Sequence, residues 1–206
     1  MSKALMESVG TFFLVLVVGL TVVAPGAGAM APLAIGAMLM AMVYAGGPIS
    51  GGHYNPAVTL AVWLRGKCAK RDVARYMTAQ ILGAVAAAIL VGLVKPNGYA
   101  SAQQPAALPA LLVELCYTFA LAWVVLSTAT SKRAAGNSYF GLAIGMTVMA
   151  GAYAAGPISG GVFNPAVAIG ITLMGISHVA ALWIFFVANF AGGALAALAF
   201  RALHQD

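Results

Sequence analysis

The sequence predicts an all-α membrane protein with six transmembrane helices and two re-entrant half-helices. Three observations lead to this fold class: an apolar composition, six apolar runs of membrane-spanning length, and a motif that occurs twice. Of the 206 residues, 63% are hydrophobic and only 7% are charged. A soluble domain cannot bury so much apolar surface, so we expect an integral membrane protein embedded in a lipid bilayer.

Six apolar runs are long enough to cross a membrane, since a spanning helix needs about 20 residues. The first run has Glu7 near its start, which is typical of a retained span rather than a cleaved signal peptide. Because no linker separates the runs, a single transmembrane domain over residues 1–206 is expected. The predicted spans cover residues 4–24, 30–46, 73–94, 107–130, 138–155 and 178–203.

A 14-residue segment that occurs twice is the most informative feature of the chain. Residues 45–58 read AGGPISGGHYNPAV, and residues 154–167 read AAGPISGGVFNPAV. An internal repeat of this length determines how the whole fold is interpreted. The copies differ only where Gly46, His53 and Tyr54 are replaced by Ala155, Val162 and Phe163.

Each copy ends in Asn-Pro-Ala, which predicts the start of a helix. Asn is a favoured N-cap, and Pro is favoured at the first helical position because its missing N–H is no loss there. The apolar helices that follow have about 10 residues, too few to span a bilayer. With its oxygen capping the helix, each Asn is expected to point its amide N–H groups outward as donors. The motif residues are Asn55, Pro56 and Ala57 in the first copy and Asn164, Pro165 and Ala166 in the second.

Upstream of each Asn, the Gly and Pro residues predict a break in the preceding helix. The pairs Gly51-Gly52 and Gly160-Gly161 then predict an irregular backbone whose carbonyls are free to accept hydrogen bonds. At membrane depth such backbone is tolerated only where it is buried in protein or lines a water-filled cavity. Rows of acceptors that end at positive helix N-termini therefore predict a pore for hydrogen-bonding solutes.

The two halves of the chain, about 1–95 and 107–206, each contain three predicted spans. An odd number of spans reverses direction, so the sequence predicts an inverted repeat with a site at the membrane midplane. Glu7 in the first span corresponds to Glu114 in the fourth. With both termini in the cytoplasm, every basic residue except Lys95 lies on the cytoplasmic side, as the positive-inside rule requires.

Several other functions are disfavoured by the sequence. The net charge of +6 follows from membrane topology, so no nucleic-acid partner is expected. Cys68 and Cys116 have no metal-ligand or disulfide spacing, so neither a metal nor another cofactor is predicted. A hydrolase using Ser50 and His53 is disfavoured, because no Asp or Glu lies near them in sequence and the second copy has Val162 instead of His.

Two Asn-Pro-Ala motifs on half-helices, the inverted repeat, and a Glu early in spans one and four resemble the aquaporin and aquaglyceroporin family (major intrinsic proteins). The resemblance covers essentially the whole chain. It implies a right-handed bundle with one pore per subunit, usually a homotetramer, that conducts water and small uncharged solutes passively. It also implies that Asn55 and Asn164 are central donors and that Glu7 and Glu114 hold the loops before the half-helices.

The same resemblance assigns further residues to the pore. His53 is similar to a pore-lining His on the cytoplasmic arm, beside Gly51 and Gly52, and Gly160 has the matching place on the other arm. Most family members carry an Arg directly after the second Asn-Pro-Ala, as part of a four-residue selectivity filter. Here the filter positions are Ile35, Ala152, Gly161 and Val167, so the Arg is replaced by Val167.

An Arg-free filter of this kind is expected to be wide and to lack side-chain donors. We therefore expect a channel for water, glycerol and urea, with undissociated arsenite or boric acid as further candidates. Two alternatives remain: a narrow water-selective channel, because an apolar ring can also obstruct flow by dewetting, and a secondary transporter with inverted repeats. By analogy, the short loops and termini suggest a bacterial inner (plasma) membrane.

Overall fold

A computed structural model describes residues 2–204, so three terminal residues of the expected domain, Met1, Gln205 and Asp206, lie outside the described residues. Residues 2–204 contain no β-strand and only two isolated bridges, Ala24 with Tyr99 and Gln103 with Ser177. The eight α-helices of this range are α1 (Lys3–Val22), α2 (Ala31–Ser50), α3 (Pro56–Leu64), α4 (Lys70–Val94), α5 (Ala107–Val125), α6 (Phe140–Ser159), α7 (Pro165–Leu173) and α8 (Leu182–Leu203).

Six of these helices, with the short helical turns that adjoin three of them, are long and apolar enough to cross a membrane. The helix α5 extends through a π-helical turn from Leu126 to Thr130, which gives a continuous segment of 24 residues. The remaining helices α3 and α7 have 9 residues each and are too short to span. The predicted fold class, six spanning helices with two half-helices, is confirmed.

The predicted helix break at Gly and Pro is wrong in both copies. Helices α2 and α6 continue through Pro48 and Pro157 to Ser50 and Ser159, beyond the expected span ends at 46 and 155. A proline this near a helix end removes only one hydrogen bond, and its fixed φ is itself helical. The helices end instead where Gly51 and Gly160 adopt the left-handed conformation, with φ values of 95° and 96°.

The helix packing follows the sequence repeat. Helix α1 packs on α4 as α5 packs on α8, and α1 packs on α2 as α5 packs on α6. Each half-helix also packs against the last spanning helix of the other half, α3 on α8 and α7 on α4. The two half-helices are therefore held in the centre of the bundle by contacts that join the halves of the chain.

Small residues allow the close helix crossings within the chain. A Cβ at Gly83 would overlap the carbonyl oxygen of Ser8, and one at Gly192 would overlap that of Leu115. Gly36 and Gly145 approach each other in the same way between α2 and α6. These faces, which could have served a subunit interface, are used between helices of one chain.

Lys95, the one basic residue predicted outside, caps the end of the first helix. Its Nζ donates hydrogen bonds to the carbonyl oxygens of Leu20, Val23 and Pro25 at 2.7, 2.6 and 2.7 Å. A cation near a helix C-terminus is stabilised by the free carbonyls and the helix dipole. Lys95 thus has a structural role that explains its exceptional position.

Candidate functional site

The two Asn residues cap the half-helices as the sequence predicts. Asn55 Oδ1 accepts hydrogen bonds from the backbone N–H groups of Ala57 and Val58 at 2.8 and 3.4 Å. Asn164 Oδ1 does the same for Ala166 and Val167 at 2.9 and 3.5 Å. Both Asn side chains are buried at the centre of the bundle.

The Asn amide groups also bond across the molecule, which the sequence did not indicate. Asn55 Nδ2 donates to the carbonyl of Phe163 at 2.8 Å, and Asn164 Nδ2 donates to the carbonyl of Tyr54 at 2.9 Å. We call this pair the crossed amide bonds. An Asn amide has two N–H groups, so only one on each Asn remains for a solute, and the carbonyls of Tyr54 and Phe163 each have one of their two lone pairs in use.

The residues before each Asn are buried aromatics in an unusual backbone conformation. Tyr54 and Phe163 have φ values of 48° and 50°, which non-glycine residues rarely adopt. Their exposed fractions are 0% and 1%, and Tyr54 fills the space where a Cβ would lie, with its ring at Gly10 and its hydroxyl at Gly46. Buried aromatic packing therefore holds the strained turn that brings each carbonyl to the opposite Asn.

Glu7 binds the irregular segment of the first repeat, residues 51–54, which we call the first arm. Its Oε1 accepts from Ser50 Oγ and the His53 N–H at 2.6 and 3.0 Å. Its Oε2 accepts from the Tyr54 N–H and Gln80 Nε2 at 2.7 and 2.8 Å. A fully buried carboxylate is costly unless paired in this way, so the structure places Glu7 in the expected loop-holding position.

Glu114 binds the second arm, residues 160–163, with the same geometry but fewer partners. Its Oε1 accepts from Ser159 Oγ and the Val162 N–H at 2.6 and 2.8 Å, and its Oε2 from the Phe163 N–H at 2.7 Å. Ser50 and Ser159 were not predicted to contact these carboxylates. The sequence does contain a sign of this role, because both serines occur at equivalent positions of the repeat.

Sequence reasoning also missed a polar cluster behind the first arm. Gln80 Nε2 donates to Thr59 Oγ1 at 3.0 Å, and Thr59 Oγ1 lies 3.1 Å from His53 Nδ1. Because the Thr59 oxygen accepts from Gln80, its own hydrogen is available to His53 Nδ1. This arrangement favours the tautomer with the His53 proton on Nε2, consistent with a neutral donor.

A cavity of about 200 Å³ runs past the crossed amide bonds. All four predicted filter residues line it, and so do both Asn residues. Among the other predicted lining residues, Gly51 is absent from the wall, as are the Pro and Ala residues of both motifs. The predicted site residues on this wall are Ile35, Ala152, Gly161, Val167, Gly52, His53, Gly160, Asn55 and Asn164.

A second cavity, of about 280 Å³, adjoins the first arm. It contains charged residues that include Lys3, Lys67, Arg71 and Asp72. His53 is the residue that lines both cavities. Among the described residues, the first cavity has no Lys, Arg, Asp or Glu on its wall.

Within residues 2–204, no group of three or more His, Cys, Asp or Glu side chains could hold a metal ion, and both cysteines are free. The polar residues on the cavity wall are all uncharged in type or His, and they include both Asn residues, which lie at the N-termini of the two half-helices. Such groups bind neutral hydrogen-bonding molecules, while the positive ends of two helix dipoles oppose cations. Fold and site together describe a membrane channel for uncharged molecules.

Comparison with known proteins gives the same class. The family model "Major intrinsic protein" matches residues 1–200, and the chain belongs to this family. The chain is 39% identical over 207 aligned positions to aquaporin NIP1-4 of Oryza sativa subsp. japonica, covering 95% of this chain and 74% of that protein. It is 40% identical over 185 positions to the probable aquaporin TIP3-2 of Arabidopsis thaliana, covering 86% of this chain and 68% of that protein.

The fold also matches a solved structure, that of the aquaglyceroporin from Plasmodium falciparum. The TM-score is 0.79 at 17% sequence identity, over 96% of this chain and 94% of the other. At this identity the match shows a shared fold only. Family and fold together establish an integral membrane protein that is a passive channel for water and small solutes and not an enzyme.

Proposed function

We propose that this channel conducts small uncharged solutes larger than water, with glycerol and urea as representatives and undissociated arsenite or boric acid as further candidates. The observation that carries the proposal is the wall of the first cavity. Ile35, Ala152, Gly161 and Val167 all lie on it, and none of them brings a charge or a side-chain donor. A neutral wall with small residues admits molecules that a fixed cation would exclude.

We assign cation exclusion to the centre of the molecule. Asn55 and Asn164 each keep one free amide N–H beside the N-terminus of a half-helix, where the dipole amounts to about half a positive elementary charge. Glu7 and Glu114 act by holding the two arms, since each accepts hydrogen bonds from the backbone N–H groups of one arm. Neither the motif prolines nor the motif alanines contact solute in this proposal.

The experiment is stopped-flow light scattering on proteoliposomes, which measures osmotic water flux and glycerol uptake in the same preparation. The variant Val167→Arg restores a cation beside Asn164. We expect it to lower glycerol uptake by about tenfold, which corresponds to about 1.4 kcal/mol in the barrier. Water flux is expected to fall much less, because water is smaller than the opening that remains.

The matched control is Val167→Leu, which adds volume to the same place without charge. We expect an intermediate loss of glycerol uptake. If the native channel excludes glycerol and urea, or if Val167→Arg leaves glycerol uptake unchanged in protein that elutes as the native protein does, the wide filter is refuted.

A narrow, water-selective channel is the second candidate function, and the position of His53 favours it. His53 lines both cavities and its ring is held by Thr59, so in this alternative His53 forms the narrowest point of the path. In that case native proteoliposomes would pass water and exclude glycerol. The variant His53→Val would then admit glycerol, whereas Val167→Arg would change little.

We further propose a single channel domain made of the repeats 1–95 and 107–206, with both termini in the cytoplasm. The distribution of basic residues supports this orientation. A homotetramer is proposed from family resemblance alone, since the small-residue faces are used within the chain. The curated relatives named above come from plants, which gives no support to the expected bacterial inner membrane. Cysteine accessibility in intact cells would test the orientation, and light scattering in detergent would test the tetramer.

A further inference from the structure

Two polar side chains reach the filter region from segments that the four filter positions do not include. Gln103 lies in the connection between α4 and α5, and Ser177 follows the half-helix α7. Both line the cavity that contains Ile35, Ala152 and Val167. The filter positions have no polar side chain, and the Ser159 hydroxyl on this wall is bound to Glu114, so Gln103 and Ser177 supply polar side chains that the filter lacks.

The backbone holds Gln103 beside Ser177. The Gln103 N–H donates to the carbonyl of Ile176 at 2.9 Å, and the His178 N–H donates to the carbonyl of Gln103 at 3.0 Å. These bonds form the isolated parallel bridge between Gln103 and Ser177. The ring of His178 then accepts from the Ala180 N–H at 3.2 Å, which fixes the start of the next helical turn. The two side chains are thus held on one side of the cavity mouth by main-chain bonds that do not depend on them.

Ser177 has a buried hydroxyl that is unpaired within residues 2–204, and Gln103 has an exposed amide side chain. Ser177 is only 5% exposed, and its Oγ has no hydrogen-bond partner among the described residues. Buried hydroxyls are nearly always paired, so an unpaired one on a cavity wall points to a ligand or water. Gln103 Oε1 lies 3.6 Å from the position that a Cβ of Gly160 would occupy, so the amide lies over the second arm.

We propose that Gln103 and Ser177 form a solute-binding subsite at the mouth of the second arm. This inference rests on the proposed function, because it supplies the hydrogen bonds that an Arg-free filter needs for neutral solutes. The ligand class is small uncharged molecules with hydroxyl or amide groups, such as polyols and urea.

The chemistry of the subsite fits this class. A primary amide offers two donors and an acceptor, and a hydroxyl offers one donor and two lone pairs. A solute that enters an apolar mouth loses hydrogen bonds to water, and an unmade bond is expensive. The subsite replaces those bonds at entry. Because neither group is ionised, it gives no comparable replacement for the hydration of an ion.

The test uses the full-length channel in proteoliposomes, with water, glycerol and urea as probes. The double variant Gln103→Leu/Ser177→Ala removes the polar groups and keeps the main-chain bridge. We expect roughly fivefold slower glycerol and urea uptake, which corresponds to the loss of about one net hydrogen bond. Water flux is expected to fall less, since one water molecule gives up fewer hydrogen bonds at entry.

Two controls separate the subsite from loop disruption. Gln104→Leu changes the neighbouring exposed glutamine, which does not line the cavity, and should leave all fluxes native. Ser177→Thr keeps the hydroxyl and should retain most of the uptake that Ser177→Ala loses. Elution from a size-exclusion column confirms that each variant is folded.

The outcomes distinguish the two proposals. If the native channel takes up glycerol and the double variant does so at the same rate, the subsite is overturned and the proposed function still holds. If the native channel passes only water, the proposed function fails. The subsite is then judged on water alone: an unchanged water flux in the double variant overturns it, and a flux reduced relative to Gln104→Leu supports it.

Discussion

The first and second arms of the pore are held in the same way, yet different side chains surround them. In both arms a buried Glu accepts from a Ser hydroxyl and from two successive backbone N–H groups. Behind the first arm, Gln80 and Thr59 extend this pattern to His53. The second arm has Val162 at the place of His53, and its Glu114 has no comparable extension.

The contrast comes from small differences between repeat-related residues. Gln80 corresponds to Asn189, whose shorter side chain accepts from Thr118 Oγ1 at 3.0 Å and makes no bond to Glu114. Thr59 corresponds to Ala168, which has no hydroxyl. The repeat therefore keeps the groups that position the half-helices and varies the polar cluster behind the arm, together with His53 and Val162 on the cavity wall. A symmetric frame can thus have an asymmetric pore.

The largest effect is expected when the carboxylate that holds each arm is removed. Glu7→Ala leaves four hydrogen-bond donors without that acceptor, and Glu114→Ala leaves three. Each orphaned buried donor costs about 1–3 kcal/mol, so both variants should lose most of their folded population. Glu7→Ala should be the worse of the two, because it orphans one more donor, Gln80 Nε2. The difference should be only about 1 kcal/mol, since Gln80 keeps its bond to Thr59.

The measurement is the midpoint of thermal aggregation in detergent, followed by size-exclusion chromatography. The variants Glu7→Gln and Glu114→Gln serve as controls, because they keep the volume and one acceptor oxygen. An equal loss for both alanine variants would show that the cluster behind the first arm adds nothing to its stability.

A smaller effect is expected from Thr59→Val, which removes the hydroxyl between Gln80 and His53. His53 Nδ1 then loses its partner, and the free energy of unfolding should fall by about 1 kcal/mol. Thr59→Ser keeps the hydroxyl and should remain close to the native value. The readout is denaturation in mixed micelles. If Thr59→Val unfolds with the native free energy, the cluster of Gln80, Thr59 and His53 does not contribute to stability.

The smallest expected effect concerns flux and exchanges residues between the arms. His53→Val gives the first arm the side chain of the second, and glycerol uptake should rise about threefold because the barrier falls by less than 1 kcal/mol. Val162→His makes the reverse change and should slow uptake. Both variants keep the backbone N–H that binds Glu7 or Glu114. If glycerol uptake is unchanged in both variants, neither His53 nor Val162 limits the flux.

Much of this fold could be predicted because its signals are local. Apolar runs of spanning length, the Asn-Pro start of each half-helix and the repeat itself are all visible in the sequence. The break at Pro48 was misplaced for a local reason as well. A proline near a helix end is tolerated, and the left-handed glycine after Ser50 decides where the helix ends.

The contacts that could not be predicted join residues far apart in the chain. Asn55 and the carbonyl of Phe163 are separated by 108 positions, and Gln80 and Glu7 by 73. A pattern of residue types shows that a buried carboxylate needs partners, but it does not show which donors are within 3 Å. The same holds for Gln103, whose place at the cavity follows from pairing with residues 176–178.

The crossed amide bonds also have a consequence for how the protein is made. Ribosomes release the first repeat before the second, so Asn55 emerges long before the Phe163 carbonyl to which it donates. Until residue 164 has entered the bilayer, neither half-helix has its partner at the centre. The crossed amide bonds at the centre of the pore are therefore completed late in biosynthesis, after the second repeat has been made.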